Sequence, residues 1–278
     1  MDRYLVIASA GAGSVDRPTL DAVTAALAAA GPTEVRQPAD PKGLEAALRG
    51  LDGRVPVVAG GDGSLHLAVN QLRRLGLLAE VAVGLVPLGT GNDFARAAGV
   101  PLDPVAAARA LATARPHRFD LLSDDGGTVV VNAAHAGLGA AAAAVATDYK
   151  PQLGPLAYPV GALVAGVRER GWELRVSVDG TPVGSDDRLL MVGVANGPTI
   201  GGGTPLAPRA RPDDGELDVV VVAALGPAAR VAFGAALRAG THVERDDVWY
   251  LRGTSVLIGG EPVRHNVDGE LGDPVTVR

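Results

Sequence analysis

Apolar and polar positions divide the chain into two parts of different texture. In the first part, short apolar runs bounded by glycine or proline alternate with segments of helical length. The runs predict buried strands at residues 4–8, 34–36, 55–59 and 81–86. The segments between them predict helices at residues 19–30, 41–49 and 64–75. Strand and helix in alternation indicate βαβ units, so we expect a doubly wound parallel sheet with helices on both faces.

Short strand-like runs dominate the pattern after about residue 115. They fall at residues 118–122, 128–132, 174–178, 189–195, 217–222, 248–251, 255–258 and 262–267. Turn signals such as Asp179-Gly180 separate several runs, and helical interruptions are expected near residues 154–170 and 227–239. This texture predicts an antiparallel β-sandwich. We therefore place an α/β nucleotide-binding domain at residues 1–115 and a β-sandwich domain at residues 116–278, with a ligand cleft between them.

The amino-acid composition excludes several classes of protein for this chain. The 278 residues carry a net charge of −6 and include no cysteine. A disulfide framework, a thiol nucleophile and a cysteine metal site are therefore excluded. The acidic balance argues against a nucleic-acid partner. No segment reaches the about 18 consecutive apolar residues that a membrane span needs, so we expect a soluble cytoplasmic protein.

A glycine-rich segment at residues 60–66, GGDGSLH, follows a predicted buried strand. Glycines let the backbone approach a ligand closely, and a helix start attracts phosphate. Ser64 stands where a helix N-cap is expected. Asp62 would repel phosphate unless Mg²⁺ or a water network lies between them. The alternative is a tight structural turn with a solvated Asp62.

A second segment at residues 86–96, VPLGTGNDFAR, follows the next predicted strand. Thr90 offers a hydroxyl, and Asn92 is placed to cap a short helix that Gly99 ends. Asp93 and Arg96 are three residues apart and would share a face of that helix. The alternative is again structural, an internal Asp–Arg pair in a turn. The chain lacks a Walker loop and a full dinucleotide-binding fingerprint.

Together, the two segments resemble the diacylglycerol kinase catalytic-domain family, which includes sphingoid-base kinases and bacterial lipid kinases. The first segment alone is shared with NAD kinases and phosphofructokinases, and the second is the more specific. The resemblance runs through Phe119-Asp120 and the segment from Asn132, and ends at Asp268-Gly269-Glu270. This sequence departs from the family at Leu67, where a glutamate is usual, and at Ser64, where threonine is commoner.

The resemblance implies transfer of the γ-phosphoryl group of ATP to a lipid hydroxyl, most simply that of diacylglycerol. It implies that Glu270 is the base and that Asp62, Asp93 and Asp120 organise magnesium and water near the phosphates. ATP would contact Gly60, Gly61, Asp62, Gly63, Ser64, Leu65, His66, Gly89, Thr90 and Asn92. A separate structural Mg²⁺ would bind Asp214 and the backbone carbonyls of Arg211 and Glu216.

A lipid substrate implies transient, peripheral contact with a membrane, at its inner face for a cytoplasmic protein. The apolar residues 156–167, followed by Arg168 and Arg170, are one candidate contact surface, and a buried helix is the alternative. The sequence also allows a homodimer. Two other functions stay open: a kinase of a soluble acceptor, as in the NAD kinases, and a nucleotide-binding relative without turnover.

Overall fold

The computed structural model describes residues 3–8, 16–138, 170–184 and 188–275. The chain divides into two compact units, Met1–Val131 and Asn132–Arg278. In order, the elements of the first unit are β1 (Tyr4–Ala8), α1 (Arg17–Ala28), β2 (Thr33–Arg36), α2 (Pro41–Arg49), β3 (Val55–Gly60), α3 (Asp62–Arg74), β4 (Gly84–Pro87), α4 (Asp93–Ala97), α5 (Pro104–Leu111), β5 (Leu122–Ser123) and β6 (Val129–Val130).

The four long strands described in the first unit form one parallel sheet in the order β2-β1-β3-β4. This arrangement confirms the predicted α/β domain. Strand β2 lies on one side of β1, whereas β3 and β4 follow on the other side. The direction in which successive strands are added to the sheet therefore reverses between β1 and β3. In open α/β sheets, ligands bind outside the carboxyl ends of the strands beside such a reversal.

Helices cover both faces of this sheet because the side chains of β1 alternate between them. Tyr4, Val6 and Ala8 pack with residues of α1 and α5 on one face. Leu5 and Ile7 pack with residues of α2 and α3 on the other. Three of the helices begin in the same way, with an aspartate N-cap and a proline in the first turn. Helix α5, which the sequence analysis did not predict, is one of them.

The division between the units falls after Val131, later than the predicted division after residue 115. The side chain of Asn70 on α3 explains the difference. Its Oδ1 accepts from the backbone N–H of Val129 at 2.8 Å, and its Nδ2 donates to the Val129 carbonyl at 2.9 Å. Val129 and Val131 also pack in one apolar cluster with Leu65 of α3. Strand β6 is therefore fixed to the N-terminal unit.

The second unit consists mostly of strands. Its described elements are β7 (Ala133–Gly137), β8 (Leu174–Val178), β9 (Thr181–Val183), β10 (Leu189–Ala195), β11 (Thr199–Ile200), β12 (Thr204–Pro205), β13 (Leu217–Ala223), α6 (Pro227–Ala239), a 3₁₀ turn (His242–Glu244), β14 (Val248–Gly253), β15 (Val256–Gly260), β16 (Val263–Val267) and β17 (Glu270–Val275).

Among these described elements, six strands form an antiparallel sheet in the order β14-β13-β10-β7-β16-β17, and three form the sheet β15-β8-β9. The predicted antiparallel β domain is thereby confirmed. Helix α6 has the predicted bounds and buries Phe233 against one face of the larger sheet. The helix expected near residues 154–170 and the candidate membrane surface at 156–167 lie outside the described residues, apart from Arg170. No helix in the described part of the chain is both long enough and apolar enough to cross a membrane.

Candidate active site

The first glycine loop joins β3 directly to α3. The strand ends at Gly60, Gly61 occupies the N-cap position, and the helix begins at Asp62. The prediction that Ser64 is the N-cap was therefore wrong, because Ser64 is the third residue of the helix. Its side chain lies over the strand end, where a Cβ on Gly60 would be only 2.4 Å from Ser64 Oγ. Glycine is required at position 60 for this reason.

The second glycine loop follows β4, the neighbour of β3 in the sheet, and packs directly on the first. The backbone N–H of Leu88 donates to the Gly60 carbonyl at 2.9 Å. A Cβ on Gly89 would lie 2.5 Å from the Cα of Gly61, and a Cβ on Gly61 would lie 3.0 Å from the Cα of Gly89. Only two residues without side chains can approach so closely. The two loops thus pack main chain against main chain and form one continuous unit.

Asn92 closes the second loop. Its Oδ1 accepts from the backbone N–H of Gly89 at 3.0 Å, and its Nδ2 donates to the Gly89 carbonyl at 2.6 Å. The residue adopts the left-handed conformation, with a φ of 53°, which asparagine tolerates better than most side chains. Asn92 occupies the N-cap position of α4, but its side chain makes no cap hydrogen bond. The predicted capping role was therefore wrong.

Asp62 supplies the cap that Asn92 does not. Its Oδ2 accepts from the backbone N–H of Asp93, and its Oδ1 accepts from that of Phe94, both at 3.1 Å. Burial raises the pKa of the Asp62 carboxyl, the two amide hydrogen bonds lower it, and the charge of Asp93 raises it. The net pKa shift is upward. Asp62 therefore ties the first glycine loop to the helix that follows the second.

The predicted pair of Asp93 and Arg96 is present. Arg96 Nη1 lies 3.9 Å from Asp93 Oδ1 and also donates to the Gly91 carbonyl. The Asp93 side chain is 5% exposed, whereas Thr90 is exposed at the tip of the loop. Both the structural pair and the accessible hydroxyl are thus found in this segment.

Two residues of the predicted nucleotide site serve the fold of the first unit. Leu65 is 4% exposed and belongs to the apolar cluster between α3 and the sheet. His66 is half-buried, and its ring nitrogens lie 3.4 and 3.5 Å from Nδ2 of Asn70. Gly63, in the first turn of α3, is also half-buried. Direct contact between ATP and these residues stays a prediction.

Asp120 lies half-buried in the segment that leads to β5. Its neighbour Phe119 packs edge-on against Phe94, with 5.4 Å between the ring centroids and an angle of 76° between the rings. Phe94 directly follows Asp93 in the chain. The aromatic contact therefore holds the Asp120 segment against α4, beside the residue that was predicted to act with it.

Glu270, the predicted base, begins β17 immediately after a two-residue turn. Asp268 and Gly269 form the turn with φ angles of 48° and 95°, and Glu270 pairs with Val267 across the hairpin. The Glu270 side chain is exposed. The glycine loops belong to the first unit and Glu270 to the second, and the predicted cleft between them stays a prediction.

Two residues that fix this hairpin were quoted in the sequence analysis only as part of the resemblance. Asp268 Oδ1 accepts from the backbone N–H groups of Asn132 and Ala133 at 2.8 and 3.0 Å. Asn132 in turn donates through Nδ2 to the Thr199 carbonyl at 2.7 Å. Its own carbonyl accepts from the N–H groups of Asn196 and Gly197. The Asp-Gly pair is a recognisable turn motif in the sequence, but nothing near it in the sequence indicates that Asp268 binds residues 132 and 133.

Comparison with known proteins matches each of the two units to a known domain. A model of the diacylglycerol kinase catalytic domain matches residues 3–123, and one of the YegS C-terminal NAD kinase beta sandwich-like domain matches residues 130–278. A protein of Stenotrophomonas maltophilia strain K279a named "Probable lipid kinase YegS-like" is 35% identical over 245 residues, which are 84% of this chain and 76% of the relative. The chain belongs to the YegS-like branch of the diacylglycerol kinase family. It is therefore a member of a family of kinases, which are transferases.

One further relative supports the YegS-like assignment, and one solved structure supports the fold. A Xanthomonas campestris pv. campestris (strain 8004) protein of the same name is 35% identical over 225 residues, covering 77% of this chain and 71% of the relative. The crystal structure of a diacylglycerol kinase from Bacillus anthracis strain Sterne superposes with a TM-score of 0.78 at 23% identity, covering 99% of this chain and 92% of that one. At that identity, the second comparison shows the fold alone.

One predicted site of this YegS-like chain does not have the expected form. The structural Mg²⁺ was assigned to Asp214 and to the carbonyls of Arg211 and Glu216. The guanidinium of Arg252 is paired there with the carboxylates of both Asp214 and Glu216. Across the described residues, no three His, Asp or Glu side chains are grouped to hold a metal ion. The predicted site has only one side-chain ligand, Asp214, and two backbone carbonyls, so the structural Mg²⁺ stays a prediction.

Proposed function

We propose that this chain is an ATP- and Mg²⁺-dependent lipid kinase that phosphorylates a lipid hydroxyl. Diacylglycerol is the first candidate acceptor, which would make phosphatidic acid the product. The observation that supports this most strongly is the direct packing of Gly61 on Gly89, which brings the two glycine loops side by side. Both loops follow parallel strands at the carboxyl edge of the sheet, where open α/β folds bind nucleotides.

The nucleotide half of the proposal rests on the first unit. Helix α3 starts in the first loop, and a helix start carries unpaired N–H groups and a partial positive charge that favour phosphate. Asp62 and Asn92 hold the two loops in one arrangement before any ligand arrives. Such preorganisation lowers the cost of binding and positions the phosphates for transfer. The exposed hydroxyl of Thr90 is the side-chain donor best placed to join them.

Magnesium, when bound with ATP, would neutralise the charge that develops on the transferred group. The acids of the first unit are better placed to contact magnesium through water than to coordinate it directly. Both oxygens of Asp62 already accept backbone N–H groups, and Asp93 is paired with Arg96. We therefore propose that Asp93 and Asp120 orient the water around the metal while Asp62 holds the loops.

Glu270 is proposed as the base in the transfer step. As the lipid hydroxyl oxygen attacks the γ-phosphorus, the Glu270 carboxylate takes the hydroxyl proton and the bond to the β–γ bridging oxygen of ATP breaks. ADP leaves with the electron pair of that bond. An exposed carboxylate on an anchored hairpin suits this role, because it is accessible to a substrate hydroxyl while its backbone is fixed.

The direct test is a phosphorylation assay with labelled ATP and a lipid extract, followed by mass identification of the product. NAD and simple sugars are included as soluble acceptors, because the C-terminal unit matches a model described as NAD kinase sandwich-like. Labelled phosphatidic acid supports the proposal. Label on NAD alone would make the chain a soluble-acceptor kinase. Stabilisation by ATP without any labelled product would indicate a nucleotide binder that does not turn over.

A further inference from the structure

Three acids, two just before β13 and one at its start, face a single arginine from the neighbouring strand. Nη2 of Arg252 is paired with Asp214 Oδ2 and lies 2.7 Å from Glu216 Oε2. Its Nε lies 3.8 Å from Asp218 Oδ1. The register of β13 and β14 places Arg252 directly opposite Asp218, so the antiparallel sheet itself delivers the guanidinium to the acids.

Each oxygen of the carboxylate that was expected to bind magnesium already has a partner within the chain. Asp214 Oδ1 accepts from the backbone N–H of Glu216 at 3.2 Å, and Oδ2 is paired with Arg252. A magnesium ion needs an oxygen lone pair directed at it. Here one lone pair of each Asp214 oxygen faces a donor, an N–H group for Oδ1 and a guanidinium for Oδ2. The positive charge of the guanidinium would repel a divalent cation at contact distance.

Neighbouring groups hold the acidic cluster in this place. Asp218 is 1% exposed and accepts from the Tyr250 hydroxyl at 2.5 Å. The Tyr250 hydroxyl in turn accepts from the backbone N–H of Arg209 at 3.3 Å, while the Arg209 guanidinium lies 5.3 Å from the Tyr250 ring centroid. Two arginines and a tyrosine thus surround the acidic strand end. These groups supply positive charge and hydrogen bonds to the cluster from within the chain, while Asp218 Oδ2 is buried with no hydrogen-bond partner among the described residues.

We infer that Arg252 is the resident cation of the Asp214–Glu216–Asp218 cluster. The C-terminal unit of this chain is therefore stable without a divalent cation at Asp214. This inference is independent of the proposed lipid kinase activity, because it concerns the folding of one unit and not the transfer step.

A second arginine of the same unit provides a matched control. Arg188 bridges Glu173 and Glu261, with both ion-pair distances at 2.7 Å. The Arg188 side chain is 39% exposed and that of Arg252 is 41% exposed. The two arginines have similar surroundings in charge and exposure, but only Arg252 lies at the expected magnesium site.

The experiment measures the melting temperature of the full chain without nucleotide, after treatment with EDTA and then with added magnesium chloride at constant ionic strength. The wild-type value is expected to be the same in both conditions. Arg252→Met is expected to lower Tm by about 2–4 °C in EDTA, and magnesium is expected to restore part of the loss, because three acids then face each other without a cation. Arg188→Met should lose stability without gaining a response to magnesium.

The wild-type measurement decides the question even if Arg252→Met does not fold. A rise in Tm with magnesium that Asp214→Asn abolishes would overturn the inference, since it would show an ion bound at Asp214. Arg252→Lys keeps a positive charge at the same position and is expected to remain insensitive to magnesium. An unchanged wild-type Tm together with an insensitive Arg252→Lys supports the inference.

Discussion

Two hairpins of the C-terminal unit turn on the same pair of residues. Asp179-Gly180 joins β8 to β9, and Asp268-Gly269 joins β16 to β17, with aspartate φ angles of 47° and 48°. Each aspartate accepts from two successive backbone N–H groups of a distant segment, at Thr254 and Ser255 for Asp179 and at residues 132 and 133 for Asp268. Each also donates its own N–H to the second residue of that segment. The two anchors are the same structural device used twice.

The difference lies in the residue that follows each turn. The Asp179 hairpin continues with Thr181, and the Asp268 hairpin continues with Glu270. Since the aspartate is engaged with the backbone in both hairpins, the Asp-Gly pair explains the geometry but not the chemistry. Glu270 is the exposed carboxylate that we propose for proton transfer, and the Asp179 hairpin serves as an internal control without it.

The largest effect is expected at Glu270. Glu270→Gln keeps the shape of the side chain but removes the carboxylate that would accept the hydroxyl proton. Removal of a general base typically lowers kcat by about 10²- to 10⁴-fold. ATP affinity, measured by titration calorimetry, should stay close to that of the wild type. Thr181→Val alters the equivalent position of the control hairpin and should leave kcat unchanged. Full turnover by Glu270→Gln would remove the proposed base.

The strand that anchors Asp268 should be sensitive to acid. His135 on β7 is 9% exposed, and burial lowers its pKa from 6.5 to about 4. The unfolded chain therefore takes up a proton below pH 6.5 that the folded chain takes up only near pH 4, so stability falls as the pH drops between these values. The loss would reach about 3 kcal/mol for a shift of this size.

The measurement is chemical denaturation of wild type and His135→Gln between pH 7 and pH 4. His135→Gln removes the titrating group, so the free-energy difference between the two proteins should narrow as the pH falls through this window. A constant difference would show that His135 does not titrate as its burial requires.

The two anchoring aspartates should separate stability from activity. Asp268→Ala and Asp179→Ala each leave two backbone N–H groups without their acceptor, and each should lower the free energy of unfolding. Only Asp268→Ala releases the hairpin that carries Glu270, so kcat should fall about 10- to 100-fold, with little change in the KM for ATP. Asp268→Asn keeps Oδ1 as an acceptor and should recover much of the activity. Equal kcat values for the two alanine variants would show that the anchor does not position Glu270.

Elements bounded by clear turn residues were predictable from the sequence. Strands β1, β8 and β10 and helices α2 and α6 have the predicted bounds, because each is a dense apolar or amphipathic run between glycine, proline or charged residues. Strand β7 was missed because its sequence, AAHAG, contains no β-branched residue. It is a strand because β10 and β16 pair with it on both sides.

The candidate site was predictable in outline, but the roles of individual residues were not. The glycine loops are visible as motifs, because glycine is required wherever two backbones meet as at Gly61 and Gly89. That Asp62 caps α4 depends on a contact between residues 31 positions apart, which no local pattern reveals. Arg252 likewise reaches Asp214 from 38 positions away. Capping and charge compensation across such separations are fixed by strand order, and strand order follows from the whole fold.

The smallest effect concerns protonation of the anchors themselves. The backbone hydrogen bonds of Thr254 and Ser255 lower the pKa of Asp179 below its ordinary value of 3.8. The ionised carboxylate therefore stabilises the fold above pH 3.8, and this contribution is lost as the pH falls through the lowered pKa. The pKa of Asp62 is raised by burial, so the contribution of this carboxyl to stability increases as the pH falls. The measurement is the Tm of each variant and of the wild type at a series of acidic pH values. As the pH falls, the Tm of Asp179→Asn should approach that of the wild type, whereas the Tm of Asp62→Asn should fall further below it. Parallel trends for the two variants would contradict the view that one carboxylate is held by hydrogen bonds in solvent and the other is held against the cost of burial.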